Sequence, residues 1–141
     1  MIVYPDSSFL VSRYLSDLHS TEVDRRMAQH PSVILTPFHQ AEVANAIFQQ
    51  AFRGKLLLGE VHLAYDDFEL DWEMGVWVLV SQPESAYARS VALAKTHVAT
   101  LGIRTLDTLH VAAALELKAT HFWTFDERQA RLAEAEGLAV N

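Results

Sequence analysis

The chain has no cysteine among its 141 residues. Disulfide bridges and thiolate zinc sites are therefore excluded, and the sequence is compatible with a reducing compartment. No apolar run approaches the roughly 20 residues that a membrane-spanning helix needs. No basic region followed by a long apolar stretch marks a signal peptide at the start. We therefore expect a cytoplasmic protein without a membrane partner.

Basic residues are scarce as well. Lys and Arg number 11 against 18 Asp and Glu, which gives a formal net charge of −7. Such a balance opposes broad electrostatic attraction to a nucleic acid. A nucleic-acid function must therefore depend on a local basic patch, on a bound cation, or on both. The basic residues near the acids discussed below are Arg13, Arg53, Lys55, Arg104 and Arg128.

Hydrophobic residues make up half of the chain and charged residues 21%, which is enough apolar material for a packed core. The length suits one domain, and no linker or repeat divides it, so we expect a single domain over residues 1–141. Strands are predicted at residues 2–5, 33–36, 77–80, 121–125 and 138–140. Helices are predicted at residues 7–18, 21–29, 37–53, 58–74, 84–100, 105–117 and 126–134. This alternation predicts an α/β three-layer sandwich, with a central parallel sheet of four to five strands and helices on both faces.

Two aspartates follow predicted strands directly. Asp6 comes after the first strand, and Asp126 after the strand that contains Phe122 to Phe125. The ordinary role of such a residue is to cap the next helix, because its oxygen accepts from free backbone N–H groups. Ligands in open α/β sheets, however, bind outside the carboxyl ends of the strands. The two carboxylates therefore lie at the same functional edge of the predicted sheet.

Two further acids occupy unusual positions. Glu42 lies in PFHQAEVANAIF and borders the apolar face of its helix, with a partly exposed surface acid as the alternative interpretation. Asp107 starts DTLHVAAALEL, the most apolar helical pattern in the chain, and an N-cap is its alternative interpretation. A helix so rich in Ala and Val is expected to be buried, which brings its first acid close to the sheet edge.

Four converging carboxylates without basic partners would repel one another, and some of their pKa values would rise. A divalent cation relieves this repulsion. Mg²⁺ and Mn²⁺ prefer oxygen ligands, and such a cation activates water and stabilises charge on a phosphate. It would also attract phosphate to an otherwise acidic pocket.

The sequence resembles the PIN domain, and within it the VapC-like ribonuclease toxins of toxin–antitoxin pairs. The resemblance is carried by YPDSSFL at the start, by Glu42, by LDTLHVAAAL at residues 106 to 115 and by WTFDERQARLA at residues 123 to 133. It runs along nearly the whole chain, and the order and spacing of these segments together are its most specific feature.

The resemblance implies an acidic Mg²⁺ or Mn²⁺ site formed by Asp6, Glu42, Asp107 and Asp126. Ser8 and Thr124 would support that site as neighbouring hydroxyls. The resemblance also implies metal-dependent hydrolysis of RNA phosphodiesters, a homodimer, and a cognate antitoxin that blocks the site. We expect an antitoxin arginine to reach the acids and an exposed apolar stripe to hold the rest of that partner, formed by Phe9, Leu10, Tyr14 and Leu18.

Other functions fit less well. His39 lies three residues before Glu42 and His110 three after Asp107, but these are not the Glu-x-x-His pairs of di-iron bundles, and we interpret His110 as a buried supporting residue. A dehalogenase-type phosphatase would need Asp-x-Asp after the first strand, and no glycine-rich phosphate loop is present. Two alternatives stay open: a PIN fold kept as an inactive binding module, and a housekeeping PIN nuclease without an antitoxin.

Overall fold

A computed structural model describes residues 1–140 of the chain. Its sheet has four parallel strands in the order β3-β2-β1-β4, so the first strand is central. In chain order the strands are β1 (Ile2–Pro5), β2 (Ser32–Leu35), β3 (Trp77–Leu79) and β4 (His121–Trp123). Strand β1 pairs in register with β2 through Val3 and Val33, and with β4 through Tyr4 and Phe122.

Helices fill the intervals between the strands, as the sequence pattern predicts. The first four are α1 (Ser7–Tyr14), α2 (Ser20–Met27), α3 (Pro37–Phe52) and α4 (Leu58–Glu73). The next are α5 (Ser85–Leu93), a π-helical segment (Ala94–Val98) and α6 (Ala99–Leu101), followed by α7 (Thr105–Glu116) and α8 (Glu127–Ala135). No helix within residues 1–140 is long and apolar enough to cross a membrane.

Successive side chains along each strand point alternately into two separate hydrophobic cores. Val3, Val33 and Trp123 face the core that contains side chains of α1, α3 and α4. Tyr4 and Phe122 point to the opposite core, which contains side chains of α5 and α7. The period of two residues in a strand thus places helices on both faces. The predicted α/β three-layer sandwich with a four-stranded parallel sheet is confirmed.

Helix α1 is shorter than predicted, because it ends at Tyr14 instead of Leu18. Leu15 is extended, with φ −111° and ψ 135°. The Ser20 hydroxyl donates to the carbonyl oxygens of Ser12 and Leu15 at 2.8 and 3.0 Å, and satisfies groups that a longer helix would have bonded internally. Hydrogen bonds from a nearby polar side chain therefore end the helix earlier than the spacing of its apolar residues predicts.

The prediction of an exposed apolar stripe on α1 is wrong. Phe9 and Leu10 are fully buried in the core between α1 and the sheet, and only Leu18, beyond the end of the helix, is largely exposed at 87%. Phe9 packs on Trp123 with ring centroids 5.1 Å apart. A partner cannot bind these two side chains without unfolding the helix from the sheet.

Three smaller differences concern the second half of the chain. The predicted helix over residues 84–100 is continuous in space but contains the π-helical segment. Strand β4 ends at Trp123, which leaves Thr124 and Phe125 outside it. The predicted last strand is reduced to one parallel bridge between His121 and Ala139.

Candidate functional site

The carboxyl ends of β1 and β4 open onto a cleft of about 220 Å³. Its lining includes all four acids predicted from the sequence, brought together from the two strand ends and from helices α3 and α7. The lining residues are Asp6, Ser7, Ser8, Glu42, Arg104, Asp107, His110 and Asp126. The cleft therefore joins residues that are far apart in the chain at the sheet edge where ligands bind in α/β folds.

Asp6 is both a helix cap and part of the cleft. Its Oδ1 accepts from the Phe9 backbone N–H at 3.0 Å and from the Ser8 hydroxyl at 2.5 Å. Its Oδ2 accepts from the Thr124 hydroxyl at 2.8 Å. The side chain is nearly buried, with 6% of its surface exposed. These three donors hold one carboxylate rigidly at the end of β1, so the capping and site interpretations of Asp6 are compatible.

Asp126 has the same double position at the end of β4. Its Oδ1 accepts from the Gln129 backbone N–H at 2.8 Å and caps α8. The Asp126 backbone N–H donates to the Thr124 hydroxyl oxygen at 3.0 Å, and that hydroxyl lies within bonding distance of Asp6. Thr124 thus connects the first and last acids directly.

Gln129 is a site residue that sequence reasoning missed. It is fully buried beneath the cleft. Its Oε1 lies 2.9 Å from the Thr124 hydroxyl and its Nε2 donates to the Asp107 backbone oxygen at 3.2 Å, so it joins α8, the end of β4 and the start of α7. Its only sequence signal is a position three residues after an N-cap, where Gln commonly makes a capping box.

Replacing Gln129 with Leu should lower the free energy of unfolding by about 2 kcal/mol, because the Asp107 carbonyl loses the hydrogen bond from the buried amide and an apolar side chain then faces the Thr124 hydroxyl. The affinity of the cleft for Mn²⁺ should fall about 10- to 100-fold, the usual effect of losing a group that orients site carboxylates. Chemical denaturation and Mn²⁺ titration measure the two effects. The control is Gln29→Leu at an exposed position, expected within about 0.5 kcal/mol of wild type. Equal stability and Mn²⁺ affinity in both variants would contradict the prediction.

Asp107 lies in the first turn of α7, three residues beyond its N-cap, Arg104, so the N-cap interpretation of Asp107 is wrong. Its Oδ2 accepts from the Arg104 Nε at 3.2 Å. Burial raises the pKa of Asp107, Arg104 opposes this, and the charges of Asp126 and Asp6 add to the increase. The pKa of Asp107 is thus raised mainly by burial and less by the neighbouring acids, and the assumption that the acids have no basic partner is wrong.

Glu42 has its own basic partner in His110. The His110 Nε2 contacts the Glu42 Oε1, which also accepts from the Ser7 hydroxyl at 2.8 Å. Burial raises the pKa of Glu42, but the hydrogen bond and charge of His110 and the bond from Ser7 outweigh burial and leave that pKa below 4.5. The Tyr4 hydroxyl lies 3.0 Å from the His110 Nδ1, and Phe38 stacks on the imidazole with centroids 4.3 Å apart. His110 is therefore a buried residue that fixes Glu42, as interpreted from the sequence.

His39 supports the end of β1 from below. Its Nδ1 accepts from the Thr36 backbone N–H at 3.0 Å, which places the ring proton on Nε2, and Nε2 donates to the Pro5 carbonyl at 2.8 Å. Complete burial lowers its pKa to about 3, so the ring is neutral at neutral pH. His39 thus anchors the residue immediately before Asp6 and does not reach the cleft itself.

The donor set of the cleft suits a hard cation. Four carboxylates from four elements line it, and oxygen ligands are those that Mg²⁺ and Mn²⁺ prefer. As the side chains stand in residues 1–140, no three Asp, Glu or His residues are close enough together to hold a metal ion. Two of the four carboxylates bond to basic side chains instead: Asp107 bonds to Arg104, and Glu42 bonds to His110. A cation would have to draw these carboxylates inward.

A larger cleft of about 640 Å³ lies elsewhere, around Arg13, Asp24 and His30. Arg13 and Asp24 form an ion pair with each other at 2.6 Å. None of the four acids lines this cleft, and its size alone is no evidence of chemistry. The smaller acidic cleft is therefore the candidate site.

Sequence comparison gives one family match. The model of the PIN domain family matches residues 3–135. No curated protein sequence matches the chain significantly. The matched segment includes all four acids of the cleft and covers most of the chain.

Three solved structures share the fold at low sequence identity. VapC20 of Mycobacterium tuberculosis, a toxin that cleaves the sarcin–ricin loop, has a TM-score of 0.69 and 13% identity, with 98% of each chain covered. VapBC2 of Rickettsia felis, bound to a DNA fragment from its promoter, has a TM-score of 0.67 and 14% identity, with 100% of this chain and 98% of the other covered. FitAcB of Neisseria gonorrhoeae has a TM-score of 0.67 and 17% identity, with 99% and 96% covered.

Proposed function

Because this chain belongs to the PIN domain family, we propose that it is a divalent-metal-dependent endoribonuclease and the toxin of a toxin–antitoxin pair. The observation that carries the proposal is the convergence of Asp6, Glu42, Asp107 and Asp126 on one cleft at the carboxyl ends of β1 and β4. An inactive PIN-fold binding module would not need all four acids, nor the buried polar contacts that orient them.

The proposed Mg²⁺ or Mn²⁺ ligands are Asp6, Asp107 and Asp126, with Glu42 completing the site. When bound, the cation activates water at neutral pH and stabilises the charge that develops on the phosphate. Two of these acids sit at strand ends and are fixed by their own helix caps. Their positions are therefore largely set before any ligand arrives, which is what precise catalysis requires.

The other residues of the cleft have positioning roles. Ser8 and Thr124 donate to opposite oxygens of Asp6 and leave it one orientation. Ser7 and His110 hold Glu42 at the side of the cleft. Because Glu42 keeps a low pKa in this setting, it is ionised at neutral pH and available to a cation or to the attacking water.

The similarity of the fold to solved structures supports the toxin assignment. VapC20 is a toxin that cleaves the sarcin–ricin loop, and VapBC2 shares the Vap name with it. We propose by analogy an antitoxin that blocks the acidic cleft, a homodimer, and an RNA substrate with an exposed single-stranded site. The buried state of Phe9 and Leu10 means that the antitoxin must bind a surface other than the predicted stripe.

Purified protein should cleave structured RNA with single-stranded loops when Mg²⁺ or Mn²⁺ is present, and cleavage should stop in excess chelator because the carboxylates alone cannot activate water. Gel separation of labelled RNA measures the result, and a sarcin–ricin loop oligonucleotide is one suitable substrate. Adding back Mn²⁺ should restore the rate. Equal cleavage with metal and with chelator would indicate a contaminating nuclease and contradict the proposed mechanism.

A further inference from the structure

Two arginines stand at the rim of the acid cleft. Arg104 is 85% exposed and bonds to Asp107, and Arg128 donates from Nη1 to the Gly102 carbonyl at 3.3 Å. Within residues 1–140, Arg128 pairs with no carboxylate. Most other arginines are already paired with acids outside the cleft: Arg13, Arg25, Arg26, Arg89 and Arg131. Within residues 1–140, Arg53 and Arg128 are the arginines without a carboxylate partner, and Arg128 lies beside the acids.

The surface around Arg104 forms a continuous groove. On one side, a cleft of about 240 Å³ is lined by Asp126 and both rim arginines. On the other side, a cleft of about 420 Å³ is lined by Glu42 and Leu106. Arg104 and Asp107 line both of these and the acid cleft between them. A groove that passes over the acids and continues on either side fits an extended strand better than a small molecule.

We propose that Arg104 and Arg128 bind phosphates of the RNA strand next to the phosphate that is cut, and that a cation entering the acid cleft releases Arg104 for this role. The proposal rests on the proposed function and identifies the residues that recognise its substrate. In the ligand-free protein Arg104 is paired with Asp107. When the cation and the RNA bind, Asp107 binds the cation and Arg104 binds a phosphate instead.

The exchange is physically easy. The planar guanidinium of arginine matches the oxygens of a phosphate and can bind two of them at once. An ion pair as exposed as Arg104–Asp107 is worth a factor of about five or less in an equilibrium, so a divalent cation competes for Asp107 readily. Arg128 is held near the groove by its bond to Gly102, which takes the left-handed conformation (φ 65°, ψ 35°) at the end of α6.

The proposal predicts opposite effects of one substitution. Arg104→Ala should bind Mn²⁺ about two- to fivefold more tightly than wild type when RNA is absent, because the competing ion pair is gone. The same variant should have a KM for RNA about fivefold higher at 0.1 M salt, and the slope of log(kcat/KM) against log[salt] should be shallower by about 0.7, the value for one lost contact to a single strand. Isothermal titration with Mn²⁺ and cleavage kinetics at several salt concentrations measure both.

Two further variants isolate the groove. Arg128→Ala should raise KM and reduce the salt slope in the same way, but should change Mn²⁺ affinity less, because Arg128 does not touch Asp107. Arg53→Ala removes an equal charge from the exposed end of α3, about 16 Å along that helix from Glu42, and should leave both KM and the slope at wild-type values.

The outcomes separate this proposal from the proposed function. If Arg104→Ala and Arg128→Ala match Arg53→Ala in KM and slope while wild type cleaves RNA, the phosphate site is wrong and the nuclease stands. If Arg104→Ala binds Mn²⁺ no more tightly than wild type, the partner exchange is wrong. If wild type leaves RNA uncut with Mn²⁺, the nuclease fails, and equilibrium binding of the same uncut RNA to the same variants still tests the arginines.

Discussion

Replacing Asp6 with Asn will reduce metal-dependent RNA cleavage by about 10²–10³-fold or more, while the protein stays folded. The carboxylate is a proposed metal ligand, and losing one group that stabilises transition-state charge commonly has an effect of this size. Asn keeps the structural role, because it remains a good N-cap and its oxygen can still accept from Phe9 and Ser8. Initial rates and thermal unfolding measure the two properties separately.

The hydrogen bonds beneath Asp6 explain why the Asn variant should tolerate the change. The Asn amide would face the Thr124 hydroxyl oxygen, and that hydroxyl can turn its proton to Gln129 Oε1 at 2.9 Å. The free energy of unfolding should therefore stay within about 1 kcal/mol of wild type. Asp6→Ala, which loses the cap, should be less stable and equally inactive. The exposed control Asp67→Asn should cleave RNA normally. An active Asp6→Asn variant would rule out Asp6 as a metal ligand.

Expression of the wild-type chain in a bacterial host should arrest growth, and the Asp6→Asn variant should not. A ribonuclease acts catalytically, so a small amount of active enzyme in a cell damages many RNA molecules. Colony counts and growth curves after induction measure the effect, with soluble protein levels matched between the two strains. Where a small gene lies next to this one and encodes the antitoxin, its co-expression should restore growth.

The growth experiment also separates the open alternatives. Arrest that depends on Asp6 but is not relieved by any neighbouring gene product would favour a nuclease without an antitoxin. Equal growth of wild type and Asp6→Asn at matched expression would remove the toxin assignment and leave a PIN domain of another function. The Asn variant is the appropriate control because it keeps the size of the side chain and the helix cap and removes only one carboxylate from the cleft.

The placement of the acids was predictable because it depends on topology. Strands that alternate with helices form a parallel sheet, and the residues that follow β1 and β4 then meet at one edge whatever the side-chain details. Asp6 and Asp126 follow those strands, so their position at one edge needed only the element order, whereas their proximity depends on the pairing of β1 with β4. The burial of α7 followed from its run of Val and Ala in the same way.

The partners of the acids were not predictable, because they depend on where each helix begins and turns. Arg104 reaches Asp107 only because α7 starts at Thr105 and leaves Arg104 as its N-cap. Gln129 reads as a surface residue of a polar helix, yet it is fully buried because α8 lies against both α7 and the end of β4. The same limit applies to α1, where Ser20 ends the helix from outside its own sequence.

The central position of β1 gives the order of synthesis a consequence. A ribosome making this chain produces Asp6 first and Thr124, its hydrogen-bonding partner, 118 residues later. Strand β4 must be complete and paired with β1 before Asp126 reaches the edge of the sheet where Asp6 lies. A growing polypeptide therefore holds an unfinished cleft until the residues from Asp6 to Asp126 have all been made, and shorter fragments lack the last acid. The site proposed for RNA cleavage would in this way be completed only after the elements between the two aspartates have been synthesised.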